Sequence, residues 1–329
     1  MNKNLIFFSH TSTLAGALQG TAMQLGNSMT AGTLFGLSTL AFRTVADPEI
    51  SPYCQSMFDC EEMLQDASAL LGLSFESLMI AGEQKNKSSI RELTDKIASH
   101  ISRSYPVLFL DALAGDWLLI ADYNRQSGEL LLLGKDSEAE ISSQDLSSNE
   151  DFPLLWCLFP EKCRKAPSPA AEFRALSLGI NHYFHEKPNR HFMDAGYDCG
   201  RRAWTLMLES LEKGRADLYG LALNIRLLRE ARTGAWNFLA ALTHSAGGFT
   251  GPELDKASAE WEQAILGLLR LEELFPLPPA QDGHLAQEDE RIKPAIELFS
   301  RVSSHEQSAM DSLKQFVNRA EGNSAFLMT

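Results

Sequence analysis

The sequence predicts an α+β protein with two domains, the first carrying an antiparallel sheet and the second all helical. Three observations predict it. Capped helical patterns fill the first hundred residues. Three short apolar runs follow between residues 105 and 133. After residue 151 the chain reads as helical nearly to its end, with helical periodicity and little β-branching in stretches such as 217–242 and 252–274. Helices followed by strands, without βαβ alternation, is an α+β order. The domains are expected at 1–140 and 141–329.

The start, MNKNLIFFSH, offers four consecutive apolar residues, Leu5 to Phe8. That is too short for a signal-peptide core or a membrane span and reads as a short buried strand. A helix is expected near Thr13, capped by Ser12 or Thr13 and ended by Gly26 and Asn27. A second follows Asp59, with Glu62 as reciprocal partner, and stops at Gly72. A third starts at Ser89 with Glu92 in the reciprocal position. Strands are expected at Tyr105–Leu110, Trp117–Ala121 and Glu129–Leu133, the last two joined by the loop Asn124 to Gly128. Residues 136–151 are polar and read as a linker or exposed loop. Helices are then expected at Asp217–Leu242 and Pro252–Leu274.

The chain has 329 residues, 44% of them hydrophobic, enough for a sizeable core. Its 29 Lys and Arg against 43 Asp and Glu give a formal net charge of −14. So acidic a chain repels phosphate backbones, which argues against nucleic acid as a partner. Five cysteines without regular spacing make neither a disulfide framework nor a CxxC knuckle. A cytoplasmic location, with no membrane partner, is expected.

Two stretches carry a family resemblance. The helix ending LGN at Leu25–Asn27, followed by TLFGLSTLAFR at Thr33–Arg43, resembles a glycine-ended nucleophile helix and the segment after it. PVLFLDALAGDWLLIADYN, Pro106 to Asn124, is similar to a strand pair of the pattern PV…HxVVVxGYD. With Gly196–Trp204, Leu223–Leu242 and Trp261, these resemble the butirosin biosynthesis protein H family, in which a papain-like N-terminal domain precedes a helical C-terminal one. The resemblance implies an acyl or aminoacyl transferase of natural-product biosynthesis, moving an acyl group from an acyl carrier protein thioester to a small amine, with no cofactor and no metal. It leaves the oligomeric state open, a homodimer included.

The chain departs from the family where chemistry would occur. The family cysteine nucleophile falls within Thr11, Ser12 and Thr13, and the family histidine falls at Asp116 or Trp117. The hydroxyls at the helix start could act as nucleophile, with Asp116 opposite and His10 nearby, or could simply cap the helix. Asp116 becomes useful if burial raises its pKa or if it holds a ligand amine by charge; otherwise it is a turn residue after Gly115. A catalytically inactive scaffold that binds a small molecule or carrier protein is a rival reading. Another is a cyclase or hydrolase using Asp116 and Tyr123 as acid and base.

Other candidates are weighed the same way. Cys60 at a helix start could be a relocated nucleophile, and Cys54, Cys157, Cys163 and Cys199 read as ordinary semi-buried thiols. His182 and His185, with Glu186, His191 and Asp194, could hold a metal or form a surface cluster. Arg226, Arg229 and Arg232 recur every third residue. With Glu230 they could form a substrate-binding ridge for an anion, or pair internally.

Overall fold

The computed structural model describes residues 5–56, 60–148, 150–162, 168–185, 196–279, 283–286 and 288–322. Its helices are α1 (Thr13–Gln24), α2 (Ala31–Leu37), α3 (Cys60–Leu71), α4 (Lys87–Ser102), α5 (Pro169–His185), α6 (Arg201–Glu212), α7 (Leu218–His244), α8 (Pro252–Leu274) and α9 (Ile292–Gly322). Its strands are β1 (Val45–Ala46), β2 (Leu73–Ala81), β3 (Val107–Asp111), β4 (Asp116–Asn124), β5 (Glu129–Leu133), β6 (Glu138–Ser142), β7 (Leu154–Lys162) and β8 (Asp198–Cys199). The fold is therefore mixed α+β, with an antiparallel sheet and a helical C-terminal region. Among the described residues, no helix is long and apolar enough to cross a membrane.

Two compact units form: Met1–Thr30 with Leu71–Ala166, and Ala31–Leu70 with Pro167–Thr329. The division expected at residue 140 is corrected twice over. The sheet continues past it, because β7 pairs with both β2 and β3. The early segment 31–70 belongs with the C-terminal helices. β7 escaped the sequence reading because Leu154–Phe159 is one unbroken apolar run, buried from Leu155 to Pro160. A strand covered on both faces has no alternation to distinguish it from a buried helix. β6 lies where a linker was expected.

In the first unit the sheet order is β2-β7-β3-β4-β5-β6, all antiparallel. Ile90, Leu93 and Ile97 of α4 close a core with Val107, Phe109, Ile120, Leu130 and Phe159. Side chains alternate along a strand, so Leu119 turns to the opposite face, toward Gly20 of α1. Helix α1 is buried from Leu14 to Ala22, as a helix without a polar face must be. Residues Leu5–Phe8, expected as a strand, join no ladder. Instead the Phe8 and Ile6 carbonyls press into notches left by Gly16 and Gly20, where a Cβ would lie 2.3 and 2.2 Å away. Helix α4 starts earlier than expected because Asn86 is the cap: its Oδ1 accepts the Ser89 N–H at 3.1 Å, and Ser89 Oγ accepts the Asn86 N–H at 3.0 Å. For α3, the expected cap Asp59 lies outside the described residues, and Gly72 ends the helix at φ +69°.

The second unit packs α2 against α7 through small residues. A Cβ on Gly36 would strike the Phe238 ring, and one on Gly234 would strike Phe35. Helices α8 and α9 run antiparallel, with Glu253 paired to Arg319 and Glu260 to His305. The two-stranded β1–β8 ribbon ties the early segment to the start of α6.

At the centre lies Arg232, wholly buried. Its Nε donates to Glu306 Oε2 at 2.6 Å and its Nη2 to Glu306 Oε1 at 2.8 Å and to Thr44 Oγ1. Its Nη1 serves the Ala41 and Arg43 carbonyls at 3.0 and 2.8 Å. All five guanidinium N–H groups thus have acceptors. Trp204 Nε1 adds a 2.8 Å bond to Glu306.

Two substitutions test this network by urea denaturation. Glu306→Gln is expected to cost about 3–5 kcal/mol, because it strands a buried cation. Arg232→Lys is expected to cost several kcal/mol as well, since three donors cannot replace a fork of five. Parental stability in either variant would refute the role given to the network.

Candidate functional site

The start of α1 meets the start of β4. Ser12 is the cap: its Oγ accepts the Ala15 N–H at 3.4 Å and its carbonyl the Gly16 N–H at 3.1 Å. Thr13, the next residue, accepts the Trp117 N–H on Oγ1 at 3.0 Å. Its hydroxyl is also hydrogen-bonded to the Asp116 carboxyl. Gly115, at φ +73°, closes the β3–β4 turn and delivers Asp116 to this point. Burial raises the Asp116 pKa above the usual carboxylate value; the Thr13 bond opposes that and the neighbouring Asp111 adds to it. The residue as a whole is exposed.

The remaining expected site residues disperse. His10 Nε2 meets Gln19 Oε1 at 2.6 Å, and Gln19 Nε2 donates to the Met29 carbonyl at 3.1 Å. The carbonyl orients the amide, so its oxygen faces the imidazole and His10 carries its proton on Nε2. The ring is thereby directed along α1. Thr11 sits half-buried in the turn before the cap. Tyr123 packs against the α4-side core. It lies six residues along β4 from Trp117, about 20 Å at strand rise, too far to act as acid or base with Asp116.

The arginines do not form one ridge. Each step of three residues turns back by about 60° on a helix, so the side chains fan out. Arg226 is exposed, Arg229 binds Glu272 of α8 at 2.6 Å, and Arg232 enters the core. Glu230 is half-buried between them.

His182 is buried, and its Nε2 takes a 2.8 Å bond from Arg43 Nη2. Burial, then the Arg43 charge, depress its pKa to about 3. Its Nε2 thus faces a cation, and His185 is exposed. Glu186, His191 and Asp194 lie outside the described residues. Among the described residues, no group of three His, Cys, Asp or Glu is arranged to hold a metal ion. Burial pushes the Cys54 and Cys157 thiols up to about 12, and Cys199 is buried. Cys163 and the side chain of Cys60 lie outside the described residues.

One cluster escaped the sequence reading. His305 Nδ1 bonds Glu260 Oε2 at 2.7 Å, and Ser308 Oγ donates to the other carboxylate oxygen at 3.0 Å. The i, i+3 spacing of His305 and Ser308 was visible, but their partner lies 45 residues away.

The sequence matches no protein-family model, and no curated protein is similar to it at a significant level. Function must be read from the side chains.

Two measurements check these assignments. Because His182 is neutral when folded and protonates below about pH 6.5 when unfolded, its stabilisation is complete above that pH. It is lost as pH falls toward 3, by up to about 1.4 kcal/mol per pH unit. The stability difference between pH 7 and pH 5 is expected to shrink by about 2 kcal/mol in His182→Gln; an unchanged difference would contradict the buried neutral ring. Native protein at pH 7.5 should also leave Cys54 and Cys157 unalkylated by iodoacetamide, read by peptide mass spectrometry.

Proposed function

We propose that the sheet-bearing unit is a papain-like scaffold of the butirosin biosynthesis protein H type, one that binds a small molecule or carrier protein without turning it over. The observation that carries this reading is the Thr13 hydroxyl, which is engaged on both sides. It accepts the Trp117 N–H and is bound to Asp116, at the positions where the resemblance places nucleophile and base. A hydroxyl is a poor nucleophile without a matched base. A carboxylate remains far too weak a base for it even when burial raises its pKa. The nearest imidazole, His10, is held by Gln19. The bond instead pins the helix to the hairpin, and the exposed Asp116 is left to attract a ligand amine by charge.

One observation favours the acyl or aminoacyl transferase as a second reading. Asp116 stands beside the Thr13 hydroxyl in the place of a general base, and burial moves its pKa in the direction that strengthens it.

Incubating the protein with an acyl-loaded carrier protein and with N-acetylcysteamine thioesters separates the two. The scaffold reading expects no thioester loss above background and no acyl adduct by intact mass, with carrier-protein binding detectable by calorimetry. It expects Thr13→Val to cost about 1–2 kcal/mol of stability through the lost bonds. An acyl adduct on Thr13, absent from Thr13→Val and from Asp116→Asn, would establish the transferase.

A further inference from the structure

Between the end of α8 and the start of α9, the helical unit carries a cavity of about 440 Å³. This lies within the size range of small-molecule sites, roughly 300–1,000 Å³. Leu218 and Phe275, both nearly fully buried, line it with Pro276 and Pro279; the rest of its lining is Asp289, Glu290 and Arg291.

Arg291 is held in place from two directions. Its Nε donates to Asp289 Oδ1 at 2.9 Å and its Nη2 to Oδ2 at 2.7 Å, a parallel two-bond fork. Its guanidinium carbon lies 5.1 Å from the centroid of the Phe275 ring. The fork uses the side edge of the guanidinium. The end edge, made by Nη1 and the second hydrogen of Nη2, has no partner among the described residues. An arginine already immobilised loses little further freedom on binding a ligand.

We propose that this pocket binds a small apolar or aromatic monocarboxylate, its carboxylate on the free Nη1–Nη2 edge of Arg291 and its body on Phe275, Leu218 and the two prolines. The end edge presents two parallel N–H donors, which match a carboxylate bidentately. Helix α9 begins at the next residue, so its positive end adds to the field. A cationic ligand would have to displace Arg291 from Asp289. The exposed Glu290 opposes a second negative charge, which selects a monoanion over a dicarboxylate or phosphate. The proposal does not depend on the chemistry at Thr13 and Asp116.

Phenylacetate is the probe, titrated into the full chain and followed by ligand-observed NMR with calorimetry. Saturable binding is expected, with phenylacetamide weaker by about tenfold or more and Arg291→Gln reducing phenylacetate affinity by a similar factor. Glu290→Gln, at an exposed position that carries no fold risk, is expected to tighten binding about two- to threefold by removing the opposing charge. Equal affinity for acid and amide would overturn the proposal. So would undiminished binding by Arg291→Gln, no gain in Glu290→Gln, or no saturable binding at millimolar phenylacetate.

Discussion

The helical unit depends on one arginine. Burying a guanidinium is costly unless every donor finds an acceptor and a counter-charge stands beside it. Arg232 meets both conditions only because four separate pieces of chain converge on it and its partner Glu306. The turn at 41–44 supplies two carbonyls and a hydroxyl, α9 supplies Glu306, α7 carries the arginine, and α6 sends Trp204 to the carboxylate. The contacts that draw residues 31–70 into the helical unit are therefore polar as well as apolar. The glycine notches at Gly36 and Gly234 bring α2 and α7 close, and the arginine then fixes their register. Hydrophobic packing alone tolerates sliding; a five-donor fork does not.

In the sheet unit the comparable constraint is the junction of α1 with β4. Helix α1 has no polar face to orient it, so its end contacts set its position. The Thr13 hydroxyl provides one, bridging a backbone N–H and a carboxyl. The Phe8 and Ile6 carbonyls seated on Gly16 and Gly20 provide another. A group that holds a helix in place is constrained differently from one that must exchange a proton and attack a carbonyl. The Trp117 N–H draws electron density from the Thr13 oxygen, and Asp116 is too weak a base to take its proton readily. The same geometry that stabilises the fold thus disfavours turnover at this position.

What the sequence revealed follows the range of the interactions involved. The cap at Ser12, the stop at Gly26, the hairpin at Asn124–Gly128 and the limits of α8 were legible because each is decided within a few residues. The meeting of Thr13 with Asp116 was anticipated only through the family resemblance; nothing local announces it. Strand β7 was hidden because a strand buried on both faces lacks a period. The arginines at 226, 229 and 232 were misread because spacing fixes angles around a helix and says nothing of which neighbour stands at each angle. Glu272 and Glu306, the residues that decide their roles, lie 43 and 74 residues farther on. Asn86 was passed over in favour of Ser89, although both belong to the same capping box, one as cap and the other as its reciprocal partner.

The discontinuity of the helical unit bears on how the protein is made. Thr44 and Glu306 are 262 residues apart, and a ribosome adding about 5–20 residues per second needs on the order of 10–50 s to cover that distance. For most of that interval the apolar α2 and the turn at 41–44 wait for α7, and the turn then waits 74 residues more for Glu306, while the intervening segment 71–166 can complete its own sheet. The nascent chain therefore carries a finished unit flanked by an unfinished one, and the second unit closes only near the end of synthesis. During that wait an apolar segment stays open to chaperones and proteases, so the pace of translation bears on how much of the chain reaches the finished core.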